Sequence, residues 1–245
     1  MGEQKTLHDG CREGLARAFS QMCTYPLEAR KACIQVYGQH TPKLINYCRG
    51  MLQSSLTSGV IFTSYFTVYN SLHPNPLASS IAAFCTSFMK IPVSNCMRVM
   101  QVNQHHKNIL DSGRKIMYRR GVKGLYNGYG VSLLEDVVET NIRNMVYELG
   151  KNTVPCYHPN MGFLTGAIAG GLGAAITTPF DTVRANMAQA SIGKDSMDLY
   201  HTTQRLVFSK EGPKTLFRGM YMRASSNALR YALFYLIMEY LYVKI

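Results

Sequence analysis

One stretch of the sequence decides the fold: Gly166-Ala-Ile-Ala-Gly-Gly-Leu-Gly-Ala-Ala-Ile-Thr-Thr-Pro-Phe-Asp-Thr-Val-Arg184. Its first part is uncharged, and small residues four apart, such as Gly166 and Gly170, let helices approach closely within lipid. Pro179 removes one backbone hydrogen bond and kinks a helix. Asp181 and Arg184 are three residues apart and therefore lie near one face of a helical turn. The stretch predicts a kinked membrane helix that presents both charge signs at its kink.

The same proline motif recurs along the chain, and each copy is followed by a glycine that opens another helix. The copies begin at Pro26, Pro92 and Pro179. The glycines are Gly50, Gly128 and Gly219. Ordered recurrence of this kind predicts repeats. The repeat unit is a helix ending in the proline motif, a polar connection and a second helix, with bounds at 1–73, 74–156 and 157–245 in one structural domain.

The composition favours a membrane protein whose helices each have a polar face. Hydrophobic residues make up 47% and charged residues 16% of the chain, below the roughly 25% charged residues of soluble domains. Met51–Leu72 and Met161–Phe180 are uncharged and about as long as a bilayer-crossing helix, which takes roughly 20 residues. Gly10–Gln35 and Val131–Leu149 carry charges, which suits helices around a shared polar interior. We therefore predict an all-α membrane protein with six transmembrane helices.

The formal net charge of +12 fits either nucleic acid or a negatively charged membrane surface. Basic residues concentrate between Arg98 and Asn127, in one of the polar connections, so we expect a membrane partner and no nucleic acid. By the positive-inside bias the three connections share one face and both termini lie on the other. The first connection is short, and its surface helix is expected to be reduced or missing. A soluble basic protein with three helical hairpins is the alternative.

The ordered motifs resemble the mitochondrial carrier family over nearly the whole chain. The resemblance implies a three-fold pseudosymmetric bundle of six transmembrane helices, a multi-pass monomer of the mitochondrial inner membrane. Such a bundle alternates between two states that expose a central cavity to either side. Cardiolipin headgroups would bind the helix N-termini at Gly50, Gly128 and Gly219, where backbone amides favour anions, and no other cofactor is expected.

The resemblance also implies a gate on the matrix side, built by the proline motifs. Its members are Pro26, Glu28, Lys31, Pro92, Ser94, Arg98, Pro179, Asp181 and Arg184. Asp181 would pair with Lys31 and Ser94 with Arg184, while Glu28 would face the uncharged Met97. Only one of these pairs keeps both charges, so closure is predicted to depend less on ions and more on packing.

Two further expectations concern the partners in this gate. Arg98 is a candidate substitute for the missing base at position 97. Exchanging the charges of Lys31 and Asp181 should impair transport singly and partly restore it together. The alternative is that these acids and bases form ordinary surface pairs within single helices.

A second gate, on the cytoplasmic side, is expected where the even-numbered helices end. The family pattern there is an aromatic residue, an acid and, three residues after the acid, a base. Its candidates here are Tyr147, Glu148, Lys151 and Glu239.

Substrate contacts are expected at the positions seven and eight residues after each helix-opening glycine, and one turn further along. All of these positions except Ile61 are polar, and they hold Thr57, Ser58, Glu135, Asp136, Glu139, Ser226, Asn227 and Arg230. Acids within a membrane span are costly and usually face a cavity, and an acidic pair favours a cationic solute. The alternative is structural, because Glu139 and Arg143 are four residues apart and could neutralise each other.

The short first connection, Ile91-Pro92 and Thr177-Thr178-Pro179 resemble the S-adenosylmethionine carriers. The expected function is therefore transport of a cationic or amine-bearing solute such as S-adenosylmethionine by alternating access. A nucleotide carrier, or a carrier-fold scaffold or insertase that no longer transports, are the alternatives.

Enzymatic and metal-binding motifs fail on spacing. Ser191-Ile-Gly-Lys-Asp195 lacks the upstream glycine of a phosphate loop, and no G-x-S-x-G occurs. The seven cysteines form no CxxC pair, which fits neither a zinc site nor a disulfide framework. We expect neither catalysis nor a bound metal.

Overall fold

The computed structural model describes most of the chain as α-helix, with no strand in the part that it describes. The described residues are 2–37, 48–72, 75, 77–103, 108–153, 159–191, 198–209 and 212–243. The side chains of 2–8, 147, 151–153, 159–162, 239 and 241–243 are outside this description. The helices are α1 (Gly2–Tyr37), α2 (Met51–Leu72), α3 (Ala78–Val102), α4 (Ile109–Leu125), α5 (Tyr129–Thr153), α6 (Pro159–Ala190), α7 (Leu199–Val207) and α8 (Met220–Val243).

The long helices contact one another in chain order, and the last of them returns to the first. The contacts run from α1 to α2, α3, α5, α6 and α8, and then from α8 back to α1. In addition α1, α3 and α6, the helices that contain the prolines, contact each other. These helices therefore surround an interior, and the three proline helices meet one another beside it.

The helix positions agree with the sequence, but the proline helices are longer than predicted. The predicted segment Met51–Leu72 coincides with α2. The prediction that a helix ends in each proline motif is wrong, because α1, α3 and α6 continue well beyond Pro26, Pro92 and Pro179. A proline removes only one hydrogen bond of a helix, so the chain can continue past the kink. The added turns carry Gln35, which donates to Asp181, and Gln189, which accepts from Asn103.

The connections between paired helices are described for two of the three repeats. α4 occupies the second connection and α7 the third, and α4 is interrupted at Gly121, where φ is 65°. Residues 38–47 lie outside the described part of the chain, and so does the prediction of a reduced surface helix there.

Three glycines precede α2, α5 and α8 in the same backbone conformation. The φ angles of Gly50, Gly128 and Gly219 are 76°, 74° and 74°. Each glycine carbonyl accepts the first helical hydrogen bond of its helix, from Ser54, Ser132 and Arg223 at 2.9, 2.9 and 2.8 Å. Glycine is the residue that adopts positive φ at no steric cost. The three helices therefore begin alike, and residues equally spaced from the glycines can be compared.

The positive φ angles predict that replacing these glycines by alanine destabilises the protein. We expect Gly128→Ala to lower the free energy of unfolding by about 1–2 kcal/mol, because a Cβ disfavours the left-handed conformation. Gly50→Ala should cost more, since its Cβ would also meet the end of the Met100 side chain. Gly130→Ala is the control, because Gly130 lies in α5 with open space around its Cβ. Equal effects of all three substitutions in thermal unfolding would contradict this reading.

Helix pairs within repeats approach closely at glycines. A Cβ on Gly14 of α1 would meet Thr63 of α2, and a Cβ on Gly166 or Gly170 of α6 would meet Tyr235 or Tyr231 of α8. The close packing predicted from glycines four residues apart is therefore present between α6 and α8.

The outward surface of the helices is apolar. On α6 a stripe of large side chains four residues apart is about half exposed: Leu164, Ile168, Leu172 and Ile176. Phe163–Ala190 is the one stretch of the described residues that is long and apolar enough to cross a membrane by composition alone. The other long helices fall short of that criterion because polar and charged residues on their inner faces dilute their hydropathy.

Candidate substrate cavity and gate

A polar cavity of about 210 Å³ lies inside the ring of helices, with side chains from α1, α2, α3, α5, α6 and α8 in its wall. A second space of about 150 Å³ shares Arg17, Asp136, Arg143 and Tyr231 with it and has a more apolar wall. The predicted substrate contacts in the wall of the larger cavity are Ser58, Glu135, Asp136, Glu139, Asn227 and Arg230.

Two predicted contacts lie off the cavity. The Thr57 hydroxyl donates to the Gln53 carbonyl at 2.7 Å, and the Ser226 hydroxyl donates to the Arg223 carbonyl at 3.0 Å. Each hydroxyl thus has its hydrogen-bond acceptor within its own helix. Of the two positions compared in each repeat, only the second faces the cavity in α2 and α8.

Asp181 is the centre of an ion-pair cluster with Lys31, Arg98 and Arg223, and we call this end of the interior the closed end. It is fully buried, and its carboxylate lies 2.9 Å from Lys31 Nζ, 3.3 Å from Arg223 Nη1 and 2.8 Å from the Gln35 amide nitrogen. Arg98 also pairs with it. α1, α3, α6 and α8 each contribute a group to this carboxylate or its partners. A buried carboxylate with this many donors holds the four helices together at one point.

Two of the three predicted gate contacts are present in the structure. Lys31 pairs with Asp181, and Arg184 donates a hydrogen bond to the Ser94 hydroxyl. Glu28 pairs instead with Arg230 of α8. Arg98 was expected to substitute for the missing base opposite Glu28, but it binds Asp181.

The prediction that closure depends less on ions and more on packing rested on the pairs within the proline motifs, whereas the structure adds ion pairs from α8. Arg230 on α8 supplies the base that Glu28 lacks at position 97, and Arg223, also on α8, adds a further base to Asp181. Beyond Asp181, at the C-terminal ends of α3 and α6, the closed end also contains amide contacts. There the Asn103 side chain donates to the Gln189 side chain at 2.8 Å. Closure thus combines buried ion pairs with side-chain amides.

The acids predicted to bind substrate already have basic partners. Glu135 lies between Arg184 at 3.2 Å and Arg223 at 2.9 Å. Glu139 pairs with Arg223 at 2.7 Å, so the local pair with Arg143 proposed as an alternative is replaced by a contact between helices.

Arg223 joins the cavity to the closed end. Besides Glu135, Glu139 and Asp181, it donates to the carbonyl and the hydroxyl of Thr177 at 3.0 and 2.9 Å. It stands four residues after Gly219, where the other repeats have Ser54 and Ser132. Nothing in the repeat pattern predicts a base there; the signal available in the sequence is a single arginine within an otherwise uncharged stretch.

Other cavity bases were also missed by reasoning from repeats. Lys90 Nζ lies 2.6 Å from Asp136 Oδ1. Arg17 and Arg143 lie against the ring of Tyr231. Among the described side chains, eight basic and five acidic residues line the larger cavity, so it carries a positive surplus. The bases are Arg17, Lys31, Lys90, Arg98, Arg143, Arg184, Arg223 and Arg230, and the acids are Glu28, Glu135, Asp136, Glu139 and Asp181.

The predicted cytoplasmic gate falls mostly outside the described side chains. Glu148 is exposed near the end of α5. The side chains of Tyr147, Lys151 and Glu239 belong to the part that the structure does not describe. That gate stays a prediction.

A ring of helices with apolar outer faces, a charged interior and an ionic seal at one end defines a transmembrane transporter. A sequence model described as "Mitochondrial carrier protein" matches residues 68–158 and 157–244. The chain therefore belongs to the mitochondrial carrier family, whose members are transporters and not enzymes. This membership implies a mitochondrial membrane location.

Several curated relatives are mitochondrial glycine transporters. The mitochondrial glycine transporter of Emericella nidulans is 27% identical over 240 residues, covering 81% of this chain and 72% of the relative. Proteins of the same name from Aspergillus niger and Aspergillus clavatus are 24% and 25% identical. Those alignments cover 81% and 80% of this chain, and 74% and 72% of the relatives.

Proposed function

We propose that this protein carries a small amino acid across the mitochondrial inner membrane by alternating access, as a multi-pass bundle with three-fold pseudosymmetry. The observation that carries the proposal is the charged cavity with six helices in its wall, closed at one end by the contacts of Asp181. Charged groups inside a membrane protein usually mark a solute pathway. The seal keeps solutes from passing freely, so passage requires a change of conformation.

The charges of the cavity favour a solute that carries both a positive and a negative group. Glu135 and Asp136 form the acidic pair that suggested a simple cation, and both already have basic partners, which weakens that argument. The surplus of basic groups calls for an anionic group on the solute. An amino acid offers a carboxylate for the bases and an ammonium for the acids. The names of the relatives make glycine the leading candidate.

S-adenosylmethionine is the second candidate. It has the same amino-acid end and adds a sulfonium and an adenine. The aromatic side chains Phe62, Tyr65 and Tyr231 line the smaller space, and aromatic faces attract onium cations. Comparative transport of the two compounds decides between them.

The remaining assignments follow from the proposed mechanism. The Asp181 cluster is the matrix gate, and Tyr147, Glu148, Lys151 and Glu239 belong to a cytoplasmic gate. Cardiolipin binds the helix N-termini after Gly50, Gly128 and Gly219, where backbone amides favour anions. The transporting unit is a monomer, because one chain encloses the whole cavity.

Uptake into proteoliposomes tests the proposal. We expect the purified protein to exchange labelled glycine saturably. ADP and dicarboxylates should be exchanged at least about tenfold more slowly, a difference of about 1.4 kcal/mol. S-adenosylmethionine and a nucleotide are assayed in parallel. Preferred exchange of either would replace glycine as substrate, and a lack of exchange with every compound would support the scaffold alternative. Empty liposomes provide the background.

A further inference from the structure

Two arginines from different helices share one tyrosine ring in the wall of the cavity. The guanidinium carbon of Arg143 lies 4.7 Å from the centroid of Tyr231, and that of Arg17 lies 5.0 Å from it. Arg143 also donates a hydrogen bond to the Tyr231 hydroxyl. Arg17 is further held against Phe62 at 5.2 Å. Aromatic faces fix guanidinium groups without neutralising their charge.

Among the described side chains, these two arginines differ from the other bases of the cavity in forming no ion pair. Lys31, Lys90, Arg98, Arg184, Arg223 and Arg230 each form an ion pair. Among the described side chains, no carboxylate lies within 4.0 Å of Arg17 or Arg143. The Arg17 Nη1 atom is buried and has no hydrogen-bond partner there. An enclosed cation without an ion pair is costly, so two of them against one ring indicate a place for an anion from outside.

An unpartnered acceptor lines the same space. Asp136 Oδ1 binds Lys90, but Asp136 Oδ2 is buried without a hydrogen-bond partner among the described residues. Asp136, Arg17 and Arg143 line both the larger and the smaller space. The region therefore offers one ligand two guanidinium groups that form no ion pair among the described side chains and one carboxylate oxygen, Asp136 Oδ2, without a donor there.

We infer that Arg17 and Arg143, held by Tyr231, bind the carboxylate of the transported solute, and that Asp136 Oδ2 accepts its ammonium. The inference rests on the proposed function and deepens it. A guanidinium presents paired N–H donors that match a carboxylate. Ile61 and Phe62 form an apolar wall beside this subsite, in a space of only about 150 Å³, which favours a short side chain on the solute.

Ligand-induced thermal stabilisation of the full-length protein tests the subsite with three probes. Glycine carries both charged groups, glycolate only the carboxylate and glycinamide only the amine. We expect Arg17→Gln and Arg143→Gln to weaken binding of glycine and glycolate about tenfold or more, the effect of losing a charged hydrogen bond. Asp136→Asn should weaken glycine binding and spare glycolate. Arg114→Gln, an exposed change on α4, is the control.

The unliganded variants separate a binding role from a structural one. Removing an uncompensated cation should leave the unliganded melting temperature unchanged or higher. Arg17→Lys and Arg143→Lys keep the charge but lose the paired donors, so they should fold normally and bind glycine more weakly than the unmodified protein. Unchanged glycine affinity in both glutamine variants, with glycine transport intact, would overturn the subsite and leave the proposed function standing. Arginine-dependent binding of glycolate without glycine transport would support the subsite and refute glycine as substrate.

Discussion

Asp181→Asn is expected to abolish transport and to lower the free energy of unfolding by about 3–5 kcal/mol. The substitution leaves three cations, Lys31, Arg98 and Arg223, around a neutral amide in a fully buried position. Their mutual repulsion opens the closed end, and a carrier that cannot close one side cannot alternate. Uptake into proteoliposomes and thermal unfolding in detergent measure the two effects.

A surface pair provides the control for this substitution. Asp111 lies 3.3 Å from Lys115 on the exposed face of α4. Asp111→Asn should change stability by no more than about 1 kcal/mol, as is usual for exposed ion pairs. Similar losses in the two aspartate variants would show that Asp181 has no special role.

The geometry also revises the charge-exchange experiment suggested by the sequence. If Asp181 and Lys31 formed an isolated pair, reversing both charges would restore the attraction. In the structure a lysine at position 181 would face Arg98 and Arg223 as well. We therefore expect the double exchange to remain inactive, and recovery of uptake would show that the pair acts alone.

Arg223→Gln is expected to have the second largest effect, with loss of uptake and a destabilisation of about 3–5 kcal/mol. Glu139 would lose its basic partner, while Glu135 would keep only Arg184. The variant also disconnects the cavity acids from the closed end, because Arg223 touches both. Initial uptake rates at several substrate concentrations should show a fall in the maximal rate, and not only in apparent affinity.

Ser132→Ala is the matched control, since Ser132 occupies the same position after Gly128. Its hydroxyl is buried without a hydrogen-bond partner among the described residues, so the alanine variant should be neutral or slightly more stable. Uptake by Arg223→Gln at a normal maximal rate would refute the linking role of Arg223.

The sequence predicted the helices more fully than it predicted their contacts. The uncharged stretch Met51–Leu72 predicted the bounds of α2 directly, because it is uninterrupted by charge and about as long as a helix that crosses a bilayer. Helix ends at Pro26, Pro92 and Pro179 were placed too early, since proline statistics favour helix breaks and the packing of α1, α3 and α6 overrides them. Tertiary contacts of this kind are not visible in a local pattern.

The candidate site shows where three-fold reasoning succeeds and where it fails. Equal spacing from the glycines located Asp136 and Asn227 in the cavity wall, because equivalent positions of the repeats face the same interior. It missed Arg17 and Arg223, which have no basic counterparts in the other repeats. Solute-specific groups break the symmetry of the scaffold, so repeat comparison is least informative at the residues that distinguish one carrier from another.

The uncharged composition of α2 has a consequence for how such a carrier can diversify. Its side chains between Met51 and Leu72 supply hydroxyls and aromatic rings to the interior, and none of them takes part in an ion pair. Substitutions along its inner face change the shape of the cavity without removing a member of the ion pairs around Asp181. α2 is therefore the wall on which selection, or an engineer, can alter solute preference at the least risk to the transport cycle.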